Sequence, residues 1–87
     1  MDTRVAVISI LVSNKDSVEA LNNILHQYSD YIIGRMGIPY REKKVNIICV
    51  AVDAPQDIVS ALSGKLGLLP GINAKAAYSN LITHCAE

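Results

Sequence analysis

A chain of 87 residues, 51 % hydrophobic and lacking Phe and Trp, has the size of one domain, spanning residues 1–87. Eight basic and eight acidic side chains cancel, which argues against direct nucleic-acid binding, because the counterion-release drive for it is missing. The apolar residues are mainly Val, Ile, Leu and Ala, in more abundance than one small core needs, and self-association is the simple outlet for the surplus.

"RVAVISILV" (4–12) is β-branched and almost unbroken in apolarity, which suits a strand covered on both faces. As an apolar run it is too short to span a membrane, and no cleavage site follows it, so the expectation is a protein without export signal or membrane segment. "SNKDSVEALNNILHQY" opens with cap-type residues, places Glu19 three positions after Asp16, and repeats apolar side chains at Val18, Leu21, Ile24, Leu25 and Tyr28: an amphipathic helix.

"YIIGRMGI" (31–38) reads as a second strand closed by Pro39, and strict alternation sets Ile33, Arg35 and Gly37 on one face and Ile32, Gly34, Met36 and Ile38 on the other. The charged "PYREKK" is a turn short enough for a hairpin into the third strand, "VNIICVAVD" (45–53). "APQDIVSALSGKL" is a second helix with Pro55 in its first turn and a stripe of Ile58, Ala61, Leu62 and Leu66; Gly64 or Gly67 ends it, ahead of Pro70 and Gly71. "INAKAAYS" (72–79) is a weaker fourth strand, and "NLITHCAE" has no clear period, which reads as a frayed extension or a short turn.

The order β-α-β-β-α-β is that of an α+β ferredoxin-like sandwich, a four-stranded antiparallel sheet with two helices on one face. That topology makes the first and third strands central, and these are the two purest apolar runs; Gly, Arg and Lys fall in the second and fourth, at the edges. Two helices cover one face only. Yet Val5, Val7 and Leu11 alternate with Ala6, Ile8, Ile10 and Val12, and Val45, Ile47, Cys49 and Ala51 with Ile48, Val50 and Val52. An antiparallel sheet with one wet face does not read this way, so the expectation is a homodimer or homotetramer assembled through the sheet face.

Candidate chemistry centres on Arg35, the one charge in an apolar strand, with a donor fork that matches a carboxylate or phosphate. The competing reading pairs it with Asp30, Glu42 or Asp53, or with the same residues of a second copy. Gly34 and Gly37 mark a bulge or the close approach of another backbone or a ligand. "SGKLGLLPG" (63–71) lacks the Walker spacing and ends a helix where a phosphate loop opens one. His26 lies on the polar side of the first helix and His84 in the tail, each without a sequence partner, and "THC" (83–85) offers two soft ligands without a second pair. Cys49 and Cys85 lack metal-ligand or redox spacing, which predicts reduced thiols and a cytoplasmic setting. No catalytic motif is present; neither an enzyme nor a bound cofactor or metal is expected.

"IIGRMGIPY", "LNNIL" and "LSGKLGLLPGI" together resemble the family of iron-only hydrogenase system regulators, small stand-alone ACT-like domains akin to the ligand-binding half of nickel-responsive repressors. The likeness covers roughly residues 4–78. It implies a ferredoxin-like regulatory module that is oligomeric and linked to a hydrogenase system, with Gly34, Arg35, Met36, Gly37 and Pro39 at its motif. ACT domains often carry Gly or Pro where the first strand turns into the first helix, but here that turn reads "VSNKDS". Nickel repressors sense metal through several histidines and a cysteine, and the two histidines here fall outside the assigned strands. The expectation is thus a regulator that binds a small molecule or docks a protein partner near the subunit interface, through Arg35, with no DNA-reading element of its own. Two alternatives stand beside it: a ligand-free oligomerisation module, and a metal sensor using Cys85, His84 and His26.

Overall fold

The computed structural model describes residues 2–84, the side chains of 81–84 excepted. Its elements run β1 (Asp2–Val12), α1 (Val18–Gln27), β2 (Ile32–Tyr40), β3 (Val45–Ala54), α2 (Gln56–Gly67) and β4 (Ile72–His84), with short 3-10 turns at Lys15–Ser17, Ser29–Tyr31 and Arg41–Lys43. The four strands form one antiparallel sheet in the order β2-β3-β1-β4. The expected ferredoxin-like α+β arrangement is the one found, and the two most apolar strands are central because each must pair on both sides and bury at least one face.

The core lies between the sheet and the helices. Ala6, Ile8, Ile10 and Val12 of β1 and Ile48, Val50 and Val52 of β3 meet Leu21 and Leu25 of α1 and Val59, Leu62 and Leu66 of α2, all buried. Each fully buried Val, Leu or Ile contributes roughly 1.5–3 kcal/mol. The α2 stripe is therefore Val59, Leu62 and Leu66, with Ile58 half-buried and Ala61 exposed. The expected stripe began one residue early and followed Ala61, whose single methyl buries too little to orient a helix.

The first helix begins later than its cap residues suggested: Lys15–Ser17 form a 3-10 turn in which Asn14 Oδ1 accepts from the Asp16 amide at 3.0 Å. Asp16 and Glu19 form no capping box: the N-cap of α1 is Ser17, which makes no side-chain cap bond and whose hydroxyl donates to the Pro70 carbonyl at 2.6 Å. Pro55 stands one residue ahead of α2 in extended conformation. Pro39 lies inside β2, which is an edge strand, the place in a sheet where proline is tolerated.

The chain after residue 79 continues as strand to His84, where a frayed end or a short turn was the expectation. A register shift in the β1–β4 pairing between Arg4 and Ala6 lets Ile82, Thr83 and His84 pair with Arg4, Thr3 and Asp2, so the polar "THC" stretch is held partly by backbone bonds that carry no side-chain signature. Cys85 lies outside the described residues.

Candidate functional site

The residues Gly34, Arg35, Met36, Gly37 and Pro39 are divided between the two faces of the sheet. Ile32 stands opposite Val52 but Gly34 opposite Ala51, so Ile33 is an extra residue in a β-bulge. Beyond it, Gly34, Met36, Ile38 and Tyr40 share the open face with Ala51, Cys49, Ile47 and Val45. Arg35, Gly37 and Pro39 lie on the helix side, opposite Val50, Ile48 and Asn46. Strict alternation had put Ile32 with Gly34. The bulge separates them: Ile32 joins the core and Ile33 is left 63 % exposed, since one inserted residue moves every side chain on one side of it to the other face.

Arg35 Nη1 donates to Oδ1 of Asn22 on α1 at 3.1 Å in an exposed contact, so its partner is an amide and none of Asp30, Glu42 and Asp53. It ties the edge strand to the first helix. A Cβ added at Gly34 or Gly37 meets nothing within 4 Å, so no neighbour among the described residues requires glycine there.

The open face is the first surface with functional character. Val5, Val7, Leu11, Met36, Ile38 and Tyr40 lie on it, between 40 % and 59 % exposed. A shallow depression of about 390 Å³ is bordered by Val7, Gly34, Arg35, Met36, Cys49 and Ala51. Cys49 is a free thiol, half-buried among these neighbours. A contiguous apolar area of this kind is what soluble monomers avoid.

The second surface is a cleft of about 630 Å³ at one end of the sheet, where the β1–α1 connection faces the β2–β3 turn. Its first wall is pinned from behind. The Ser13 amide and hydroxyl both donate to the Gly71 carbonyl, at 2.8 and 3.0 Å, and Ser17 holds Pro70. Gly71 adopts φ +70°, and a Cβ there would stand 2.5 Å from Asn14 Cβ. Bare backbone at 71 is thus what lets the wall sit where it does. The facing wall is Tyr40, Arg41 and Lys44; the Tyr40 hydroxyl donates to Glu42 Oε2 at 3.1 Å, and Lys44 closes the turn at φ 53°. Lys15, Arg41 and Lys44 against Asp16 give the lining three cations and one carboxylate. The side-chain amides of Asn14 and Asn46 stand among them, while the Ser13 and Tyr40 hydroxyls already donate to Gly71 and Glu42. This is a donor-rich, cationic concavity suited to a small anion.

The remaining candidates scatter. Gly64 and Lys65 lie inside α2, and Lys65 Nζ stands 5.0 Å from the Tyr28 ring centroid, a cation–π contact between the helices. His26 is exposed on the last turn of α1, and His84 pairs through its backbone with Asp2. Among the described residues no group of three or more His, Cys, Asp or Glu side chains comes together, and no helix is long and apolar enough to cross a membrane.

Strand order and helix placement together define a ferredoxin-like α+β domain. The chain belongs to the TM1266-like family, described as "Iron-only hydrogenase system regulator, putative", whose model matches residues 4–76. An uncharacterised protein from Thermotoga maritima, TM1266, is similar in structure with a TM-score of 0.83 and 32 % identity, over 87 % of this chain and 96 % of that one. Two more distant likenesses show the fold alone. A formyltetrahydrofolate deformylase from Pseudomonas putida KT2440 matches at TM-score 0.63 and 12 % identity, over 88 % of this chain and 29 % of that one. An unknown protein from Galdieria sulphuraria matches at 0.61 and 18 %, over 97 % and 48 %. No curated protein matches the sequence.

Proposed function

We propose that this chain is a self-assembling regulatory module of an iron-only hydrogenase system, in which a second copy covers the open sheet face and a small anion occupies the cationic cleft. The family supports the regulatory part. The observation that carries the assembly is the open face itself, where Val5, Val7, Leu11, Met36, Ile38 and Tyr40 stand exposed on a continuous sheet. Four strands about 4.8 Å apart and roughly ten residues long at about 3.3 Å each span on the order of 600 Å². Two such faces together reach about 1,200 Å², the lower bound of a specific stable interface.

Tyr40 and Val45 border the cleft and also stand on the open face. A ligand that orders them changes the surface offered to the second copy, which is how binding in the cleft would be communicated. The module acts through a partner protein, since its balanced charge gives little attraction to a phosphate backbone.

Thermal shift against a panel of small carboxylates, phosphates and nucleotides, with divalent metals as a separate arm, tests the sensing role. A ligand that binds only the folded state adds about 2.7 kcal/mol at a hundredfold excess over its Kd. A rise with anions that is lost in R41A/K44A supports the cleft. A rise with metals alone supports a metal sensor, and no rise with any class leaves a ligand-free oligomerisation module.

A further inference from the structure

Among the described residues the register sets two charges on the open face, one of each sign: Asp53, opposite Val5, and Lys75, opposite Ser9. They sit on β3 and β4, the strands flanking β1. Two strand spacings of about 4.8 Å and four residues of about 3.3 Å separate them by roughly 16 Å, too far to pair within one chain. Both are exposed, and neither has an ion-pair partner among the described residues. The midpoint between them falls on β1 at the level of Val7.

Resting on the proposed assembly through this face, we infer that the face is self-complementary: an isologous pair with its two-fold axis near Val7 sets Asp53 of each protomer toward Lys75 of the partner subunit. The symmetry makes this contact twice, because in a two-fold pair residue i meets j and j meets i. The long lysine arm covers the lateral offset that remains after the usual tilt of packed sheets. A face that closed on itself in another register would set one charge against partner apolar surface, where an unpaired charge is costly. Two ion pairs at the margins of an apolar patch therefore fix the register, while the apolar residues supply most of the affinity. A second copy is favoured over an unrelated protein because the apolar area, the single acid and the single base all lie on the same surface of one chain.

The test is a charge-swap series read by sedimentation equilibrium, with circular dichroism and melting to confirm the fold: D53K, K75D and the double D53K/K75D. Each single change puts like charges together twice and is expected to raise the dimer Kd about tenfold or more, while the double returns it to within about threefold of the parent. The neutral pair D53N and K75Q carries the same test with smaller shifts if a reversed charge unfolds the chain. If the parent is dimeric but the double is as weak as its single changes multiplied together, or the single changes have no effect, the inferred register is overturned and the assembly stands. A parent that stays monomeric overturns both.

Discussion

Replacing Gly71 by Ala probes the link between backbone conformation and the cleft. At φ +70° an L-residue pays the left-handed penalty of roughly 1–2 kcal/mol, and the new Cβ would stand 2.5 Å from Asn14 Cβ, 3.0 Å from the Asn14 amide nitrogen and 3.2 Å from Ser13 Oγ. Two of these contacts are to backbone or to a Cβ, which cannot rotate away, so the β1–α1 connection has to move. That movement loosens the Ser13 bonds to the Gly71 carbonyl, worth about 1 kcal/mol net. The expected loss is about 2–3 kcal/mol, or a fall in Tm of roughly 10–20 °C for a chain this size. Gly64→Ala is the matched control: it lies inside α2 with nothing within 4 Å of the added carbon, and is expected to stabilise by about 0.5–1 kcal/mol. Urea denaturation of both variants measures the difference. A G71A variant as stable as the parent would refute the reasoning that bare backbone at 71 holds the cleft wall in place.

Leu62→Ala removes a fully buried side chain from the middle of the core and is expected to cost about 2–5 kcal/mol in urea unfolding. Lys44→Gly relieves a non-glycine residue at φ 53° and removes a cleft cation, so it should hold or raise stability by up to about 1 kcal/mol while weakening anion binding in a titration with inorganic phosphate. Arg35→Ala should lower stability by less than about 1 kcal/mol and leave the dimer mass unchanged, because its exposed bond to Asn22 lies on the helix side; sedimentation and melting together check this. Met36→Asp sets a carboxylate in the apolar depression, and light scattering should show monomer at concentrations where the parent is paired.

The fold was legible because its signals were strong and mutually consistent: two unbroken apolar strands, two amphipathic helices and the order in which they alternate. Face assignment in β2 was not, since a bulge at Ile33 turns on one backbone insertion and leaves the same letters in the sequence. Arg35 drew attention as a charge in an apolar strand, but an edge strand leaves room for a long side chain to reach a neighbouring helix, and Asn22 carries no charge to mark it as a partner. The cleft was missed for a different reason. "SNKD" and "YREKK" are far apart in sequence and each reads as a solvated turn, yet the pairing of Val12 with Asn46 brings them to one end of the sheet. Laying the charges of each connection onto the βαββαβ diagram would have joined Lys15, Arg41 and Lys44. The apolar alternation on β1 and β3, by contrast, carried the open face in plain view.

That face is the centre of the account, and the mass of the unmodified chain in solution tests it most directly. Light scattering coupled to size exclusion, run from about one to a hundred micromolar, a range that brackets affinities typical of specific pairs, should give twice the 9.4 kDa of one chain or a higher even multiple. A mass of 9.4 kDa across that whole range would contradict it.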